Sequence, residues 1–229
     1  MRILVACEES QVVTIQMRKL GHEAYSCDIQ DCSGGHPEWH IQGDVLDVLI
    51  PRRFTTQDGA SHYVNKWDLM IAHPPCTYLS NVATRSFSLR CSSPEKVCDR
   101  WKKRSIAAVF FMRLALAPID RIAIENPVGF MNSAFRNADQ IIHPYMFSAG
   151  KHDKENFVTK RTCLWLKGLQ PLMPTYSGEK PDNKEMFGVT PKGKVRTWED
   201  AFSRSSKVRS KTFPGIAQAM AEQWAGKCY

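Results

Sequence analysis

Residues 68–80 read DLMIAHPPCTYLS and join a short apolar run to a rigid, chemically reactive end. A second apolar run ends in a similar way at residues 121–127, which read RIAIENP. Runs of this length and character are typical of buried parallel strands. Because ligands of open α/β sheets bind outside the carboxyl ends of the strands, both ends should face one crevice. The sequence therefore predicts that Cys76 and Glu125 converge there.

Each of these features also has an ordinary structural interpretation. A single cysteine after a strand is more often a small packing residue than a nucleophile, and the pair Asn126-Pro127 is by default a turn. Pro74 and Pro75, however, hold the backbone rigid just before Cys76 and so fix the direction of its sulfur. Two strand ends that each carry a reactive residue favour a catalytic site over two unrelated turns.

Strand and helix signals alternate along the chain, which is typical of βαβ units and a parallel sheet. Ser10 is the expected cap of the first helix. Ile106, Phe110 and Leu114 should face the core from a later one. The pattern predicts strands at residues 2–6, 23–27, 39–42, 68–72, 121–124 and 161–166, and helices at residues 10–20, at 99–117 and from Pro214 onward. We expect an α/β fold, with a mostly parallel sheet and helices on both faces.

The chain divides into three parts by composition. Residues 1–167 carry the strand and helix pattern of one catalytic domain. Residues 168–211 are rich in Pro, Gly, Lys and Ser, which indicates a small irregular region. Residues 212–229 predict a C-terminal helix that packs back on the catalytic domain through Ile216, Met220 and Trp224.

Composition narrows the class of protein and of partner. The 229 residues suffice for a sizeable core, and a formal net charge of +8 favours an anionic partner such as nucleic acid. No apolar run reaches the roughly 20 residues of a membrane span, and the first residues lack the features of a signal peptide. We therefore expect a soluble, cytoplasmic protein that has no contact with a membrane.

The eight cysteines should be reduced thiols in such a compartment. Four residues, Cys27, Cys32, His36 and His40, loosely imitate a zinc site. Their spacing matches no structural zinc pattern, and Cys27 lies on a predicted strand, so we expect no metal.

The order of these motifs resembles the cytosine-C5 DNA methyltransferase family, in a short, phage-like form. Pro74-Pro75-Cys76 with Ser80 is similar to the family's catalytic loop, and Glu125-Asn126 to its Glu-Asn motif. Residues 159–163 stand where the family has Gln-x-Arg-x-Arg, and residues 209–224 resemble its closing motifs. The resemblance implies the Rossmann-like methyltransferase fold and two sets of site residues: Cys76, Glu125 and Arg161 for catalysis, and Pro75, Ser80 and Asn126 for binding the substrate base.

The resemblance also implies S-adenosylmethionine as the cofactor. Asp28 falls where the family binds the ribose hydroxyls, Asp44 where it reads the adenine amino group, and Pro74 beside the cofactor. The glycine-rich loop of the family is replaced by ACEESQ at residues 6–11. Glu8 and Glu9 in this loop either pair with the positive groups of the cofactor or favour the positive end of the following helix.

The chemistry that the resemblance implies makes specific demands on the site. Cys76 must be partly ionised to add to carbon 6 of cytosine, helped by a cation such as Arg161. Glu125 must manage a proton at ring nitrogen 3, for which we expect a raised pKa in a closed site. The activated carbon 5 then accepts a methyl group. Because carbon 6 is inaccessible inside a duplex, the base must be flipped out or already single-stranded.

The small size of residues 168–209 leaves alternatives open, because the family places its target recognition domain there. The substrate could instead be a free cytosine nucleotide or RNA, the donor could differ, or the protein could bind nucleic acid without catalysis. Surface for DNA could come from residues 54–65 or 85–104. It could also come from basic residues that otherwise form a solvated face: Lys184, Lys192, Lys194, Arg196, Arg204, Lys207, Arg209 and Lys211.

Overall fold

A seven-stranded sheet forms the centre of the protein in the computed structural model, which describes residues 1–198, 200 and 211–227. Its strands are β1 (Arg2–Ala6), β2 (Glu23–Asp28), β3 (His40–Gln42), β6 (Leu69–Ala72), β7 (Ile122–Pro127), β8 (Gln140–Ile142) and β9 (Thr162–Lys167). Their order is β3-β2-β1-β6-β7-β9-β8. The first five strands in this order run parallel, and β9 runs antiparallel to both of its neighbours. Strands β4 (Arg52–Thr55) and β5 (Ser61–Val64) form a separate hairpin.

Helices cover both faces of the sheet. The described helices are α1 (Val12–Lys19), α2 (Pro94–Ala115), α3 (Met131–Ala134), α4 (Asn183–Phe187) and α5 (Pro214–Met220), which continues into a π-helical turn, Ala221–Ala225. Because side chains alternate along a strand, Leu4 faces the core beneath α2, whereas Ile3 faces the core beneath α1 and α5. This arrangement confirms the Rossmann-like α/β fold and the mostly parallel sheet that the sequence predicted.

Three details of the predicted helices are wrong. Ser10 does not cap α1; the cap residue is Gln11, and the side chain of Glu8 binds the amide groups of Val13 and Thr14. Helix α2 begins at Pro94, and Ile106 on it is 69% exposed instead of buried. Because α2 covers only part of the sheet, one stripe of its apolar residues meets the core and another meets solvent.

The hairpin and β8 had no strand prediction in the sequence. Phe54 of β4 contacts Tyr25 of β2 edge to face, with ring centroids 5.1 Å apart, and stacks on Trp67. The indole nitrogen of Trp67 donates to the carbonyl of Val48 at 2.6 Å. This aromatic cluster fixes the hairpin against the sheet beside the end of β2.

The C-terminal helix lies where the sequence predicted it. Ile216, Met220 and Trp224 are all buried, in the core that also contains α1. In the preceding part of the chain, the segment up to residue 198 contains the short helix α4 and an isolated bridge between Val189 and Val195. The three-part division of the chain remains a prediction, and Arg204, Lys207, Arg209 and Cys228 lie outside the described residues.

Gly129 allows the segment after β7 to approach the loop after β6. It forms an isolated bridge with Ser80, and a Cβ atom added to it would overlap the carbonyl oxygen of Leu79. Backbone hydrogen bonds reinforce the contact, because Phe130 donates to Leu79 at 2.7 Å. Glycine is therefore needed at position 129 because there is no room for a Cβ atom, and not because of its backbone dihedral angles.

We expect Gly129→Ala to lower the free energy of unfolding by roughly 1 to 3 kcal/mol, because backbone atoms must move to admit the methyl group. Urea denaturation measures the change. Gly43→Ala is the matched control, since a Cβ there would meet no atom within 4 Å. A Gly129→Ala protein as stable as this control would contradict the close approach.

Candidate active site

The two segments that the sequence predicted to converge do meet at the carboxyl edge of the sheet. Ala72 at the end of β6 pairs with Ile124 of β7, so that the residues that follow are neighbours. The side-chain amide of Asn126 donates to the carbonyl of Pro74 at 2.8 Å. A third link joins the amide of Asn81 to the carbonyl of Val128 at 3.1 Å. The loop that carries Cys76 is therefore fixed to the strand that carries Glu125.

Cys76 lies exposed on this loop, in a turn whose geometry the backbone determines. Its carbonyl accepts from the amides of Leu79 and Ser80, both at 3.0 Å. Pro74 is buried and Pro75 is exposed, so the first proline anchors the loop while the second lies at the surface with the cysteine. The arrangement presents the sulfur to a ligand arriving at the edge of the sheet.

Glu125 forms a buried ion pair with His73, a residue to which the sequence analysis assigned no role. The Nδ1 atom of His73 and the Oε2 atom of Glu125 are 3.0 Å apart, and the two side chains are 7% and 18% exposed. Burial alone would lower the pKa of His73, but the hydrogen bond and charge of Glu125, aided by Glu8, raise it. A histidine placed directly before two prolines at a strand end was the signal that could have identified it.

The expected raised pKa of Glu125 is wrong. Burial favours the protonated acid, yet the hydrogen bond and charge of His73, together with the charge of Lys160, lower the pKa of Glu125 overall. Glu125 is therefore a carboxylate at neutral pH. Within the pair, the raised pKa of His73 favours the shared proton on the imidazole.

Lys160, and not Arg161, lies beside Glu125. Arg161 is exposed just before β9, and its charge acts on the buried groups of Cys163 and His143. Lys160 lines a small pocket with Glu125, Thr212 and Phe213, and its ammonium lies 5.4 Å from the ring centroid of Phe213. Thr212 also contacts His73, with its hydroxyl 3.4 Å from Nδ1. The resemblance placed residues 209–224 among the closing motifs of the family, but it gave Lys160 and Thr212 no individual role.

Glu8 serves the first helix. It is buried, and its carboxylate accepts from the amides of Val13 at 2.6 Å and Thr14 at 3.2 Å and from the hydroxyl of Thr14 at 2.7 Å. Burial raises the pKa of Glu8, while the charge of His73 and these hydrogen bonds oppose the rise. Of the two interpretations of Glu8, the geometry favours the interaction with the positive end of the helix.

Glu9 differs from Glu8 because one of its oxygens lacks a partner. Its Oε1 atom is buried and accepts no hydrogen bond from any described residue. Asn126 Oδ1 and His73 Nε2, at the same edge of the sheet, are buried and unpaired within the same part of the chain. Buried polar atoms without partners are rare in native proteins, so ordered water or a polar ligand is expected to complete them.

Asp28 ends β2 and Asp44 follows β3, and each holds a short turn. Asp28 accepts from the amide of Gln30 at 2.9 Å, and Asp44 accepts from the amide of Leu46 at 2.9 Å. Burial, followed by the charges of Asp28 and Asp44, raises the pKa of the Cys27 thiol to about 12. The same two carboxylates, again after burial, contribute to a raised pKa of Cys7. This edge of the sheet therefore has a negative potential that suits a cationic ligand.

Two non-glycine residues in the loop between β1 and α1 adopt backbone angles that usually require glycine. Cys7 and Gln11 have φ angles of 60° and 58°, in the left-handed region that costs a non-glycine residue roughly 1–2 kcal/mol. Gln11 compensates through its side chain, which donates to the carbonyl of His36 at 2.8 Å and accepts from the amide of that residue at 3.1 Å. The turned loop and the carboxylates beside it fit a ligand with positive groups and hydroxyls, as S-adenosylmethionine has.

The residues that loosely imitate a zinc site have other partners. His36 stacks on Trp39 with ring centroids 3.8 Å apart, and His40 contacts Ser26 and the carbonyl of Gln30. Among residues 1–198, 200 and 211–227, no group of three or more His, Cys, Asp or Glu side chains could hold a metal ion. No helix within these ranges has the length and apolar character needed to cross a membrane.

Comparison with known proteins finds similarity among solved structures. No protein-family model and no curated protein match the chain. The fold is similar to an Escherichia coli crystal structure described as a "putative DNA modification methyltransferase" encoded within a prophage, at 12% identity and a TM-score of 0.45. The alignment covers 83% of this chain and 56% of the other, so this chain spans about half of that neighbour's length.

We expect the His73–Glu125 pair to stabilise the protein most between pH 4.5 and 6.5, the ordinary pKa values of the two groups. Because the pKa of His73 is raised, its contribution is complete below pH 6.5 and is lost as pH rises through the raised value. Because the pKa of Glu125 is lowered, its contribution is complete above pH 4.5 and is lost as pH falls through the lowered value. At pH 6, His73→Gln should lower the free energy of unfolding by roughly 3 kcal/mol, since it leaves a buried charge unpaired.

Urea denaturation at several pH values measures this effect, and the deficit of the variant should shrink above neutral pH. The exposed His36–Glu38 pair, with a separation of 2.9 Å, supplies the control. His36→Gln should cost less than about 1 kcal/mol at each pH. A deficit in His73→Gln that does not change with pH would contradict the ion pair.

Proposed function

We propose that the protein transfers a methyl group from S-adenosylmethionine to carbon 5 of cytosine in DNA, through a covalent adduct on Cys76. The main observation behind the proposal is that the Cys76 loop is held against β7, the strand that carries Glu125, at the carboxyl edge of β6 and β7. A nucleophile and an acid-base group are thus presented together where α/β sheets bind their ligands. The resemblance of both motifs to the cytosine-C5 family gives this arrangement its specific chemistry.

Cys76 supplies the nucleophile. Its thiolate adds to carbon 6 of the ring, and the electron pair of the broken double bond moves toward carbon 5 and ring nitrogen 3. The turn at residues 76–80 and the bond from Asn126 to the Pro74 carbonyl hold the backbone that carries the sulfur. This preorganisation reduces the entropy that must be lost when the bond forms.

The ion pair of Glu125 and His73 supplies the proton. As negative charge develops on the base, the proton of His73 can move through Glu125 toward ring nitrogen 3. Two groups that share one proton perform this role without the raised pKa that a lone glutamic acid would need. The hydrogen bond and charge of His73, with a smaller contribution from the charge of Lys160, keep the carboxylate ionised until the base arrives.

The chain's own residues suggest where the cofactor would be held. When bound, S-adenosylmethionine supplies an electrophilic methyl group. Asp28 and Asp44 would hold its ribose hydroxyls and adenine amino group, and the unpaired oxygen of Glu9 would accept from its ammonium group. Pro74 would line the cofactor between this region and Cys76. Transfer places the methyl group on carbon 5, and loss of the carbon 5 proton then expels the cysteine.

DNA is proposed as the substrate, with the target base outside the duplex. Pro75 and Ser80 of the Cys76 loop, together with Asn126, would contact this base. Asn126 Oδ1 is an unpaired acceptor among the described residues. A free cytosine nucleotide or RNA is the second candidate. This second candidate is favoured because residues 168–198 contain little regular structure with which to contact DNA, and helix α4 within them has five residues.

The first test of this function is covalent trapping. A DNA oligonucleotide containing 5-fluorocytosine cannot lose the atom at carbon 5, so with S-adenosylmethionine present the wild type should form an adduct of about one oligonucleotide per chain. Denaturing electrophoresis and mass spectrometry detect it. Cys76→Ser should abolish the adduct. Cys98→Ser, a change at another exposed cysteine, should leave it intact.

The trapping experiment also separates the substrates. An adduct with a free 5-fluorocytosine nucleotide or with RNA, but not with DNA, would select the second candidate. An adduct that still forms in Cys76→Ser would contradict the assignment of Cys76 as the nucleophile.

The second test concerns the cofactor. Calorimetry should show binding of S-adenosylmethionine that weakens by roughly ten- to a hundred-fold in Asp44→Asn, because a hydrogen bond to a charged group contributes about 1.5–3 kcal/mol. Asparagine preserves the turn at this position while removing the charge. Asp47→Asn, in the same turn, is the matched control and should bind normally. Absence of binding by the wild type at millimolar concentration would exclude this methyl donor.

A further inference from the structure

A cluster of aromatic and cationic side chains lies directly beyond the Cys76 loop. The guanidinium of Arg104 is 3.4 Å from the ring centroid of Phe87 and 4.8 Å from that of Phe130. Its Nε atom donates to the carbonyl of Tyr78 at 2.8 Å. Since Tyr78 is two residues from Cys76, this cluster and the reactive loop form one continuous structure. We call residues 78–104 the loop–α2 surface.

Trp101 is the exposed aromatic residue of the loop–α2 surface. Its ring packs nearly perpendicular to Phe87 and Phe130, at centroid distances of 5.3 and 6.2 Å, which holds the indole in place. The residue is nevertheless 44% exposed. An anchored tryptophan that retains this much exposure offers a rigid platform for a flat apolar ligand.

Positive charge surrounds this platform. Residues 85–104 contain seven lysines and arginines against two acidic residues, a net charge of +5 out of +8 for the chain. Arg100 lies 5.2 Å from the ring centroid of Tyr78 and 5.0 Å from that of Phe87, and its buried Nε–H has no acceptor in the described part of the chain. The exposed cations of this surface are Arg85, Arg90, Lys96, Lys102 and Lys103.

This combination differs from an ordinary solvated face. A charged surface that contacts only water does not need an exposed indole ring held in place by its neighbours. It also does not need a guanidinium with a buried N–H group that lacks an acceptor. Single-stranded nucleic acid uses both features, since its bases stack on aromatic rings and its phosphates bind cations. An acidic protein would neutralise the charge but would leave Trp101 without a planar partner.

We propose that the loop–α2 surface binds the single-stranded segment of nucleic acid next to the target cytosine, with a base on Trp101 and phosphates on the surrounding cations. The inference rests on the proposed function for the target base itself. It also explains how a protein with a small region at residues 168–211 can hold its substrate. The contact of Arg104 with the Tyr78 carbonyl links this binding to the position of the Cys76 loop.

The first experiment measures binding of a fluorescein-labelled, cytosine-containing single-stranded DNA by fluorescence anisotropy, without any methyl donor. Trp101→Ala should weaken binding by roughly tenfold or more, as expected for the loss of one stacked base, and Trp101→Phe should restore most of the affinity. The control is Ile106→Ala, because Ile106 is 69% exposed on the same helix. It should bind as the wild type does.

The second experiment measures the salt dependence of the same binding. Arg90→Gln/Lys96→Gln should lower the slope of log K against log salt by about 1.4 units, since each phosphate contact on a single strand contributes about 0.7. Lys192→Gln/Lys194→Gln removes the same charge from the C-terminal basic region and should leave the slope unchanged. Circular dichroism verifies that each variant is folded.

The outcomes separate this inference from the proposed function. The proposed role of the loop–α2 surface would be contradicted if Trp101→Ala bound DNA normally, even if cytosine were methylated. It would also be contradicted if the salt slope fell only in the Lys192/Lys194 variant. Loss of binding in Trp101→Ala with rescue by Trp101→Phe would support it even if no methyl group were transferred. A wild type that binds single-stranded DNA no better than a duplex of the same sequence would overturn the preference for single strands.

Discussion

The parallel pairing of β6 with β7 is the constraint on which the site depends. It places His73 next to Glu125, and the buried ion pair between them connects the Cys76 loop to the next strand. Glu8 raises and Lys160 lowers the pKa of His73, so both side chains act on the protonation of this pair. Each of these charges would be costly to bury alone. Together they compensate one another, and the removal of any one changes the protonation of the rest.

The fold could be predicted from the sequence because its signals are local. Apolar runs that end in turn residues identify the central strands, and the periodicity of residues 214–224 identifies the last helix. Strand β8 has three residues and the hairpin strands have four each, and only one residue of each strand is buried, so none carries a distinctive apolar run. The exposure of Ile106 could not be predicted either, because periodicity gives the faces of a helix but not how much of the helix the sheet covers.

The site was predicted in part for a related reason. Cys76 and Glu125 end strands, so topology alone brings them together. Lys160 and Thr212 come from segments whose paths depend on tertiary packing, and no spacing in the sequence relates them to Glu125. The pKa of Glu125 was predicted in the wrong direction because burial and ion pairing have opposite effects, and the sequence indicated the burial but not the partner.

The loop after β1 shows how a backbone geometry can persist without the residue that usually provides it. The left-handed angles of Cys7 and Gln11 carry a local energetic cost, which the hydrogen bonds of Gln11 to His36 and Ser26 offset. Those bonds also fix residues 33–36 over the loop, where the amide of Ser33 donates to the carbonyl of Glu9 at 2.7 Å. A glycine-rich loop would bend without this support. Here the bend depends on the segment after β2, so the position of Glu9, with its unpaired oxygen, depends on that segment as well.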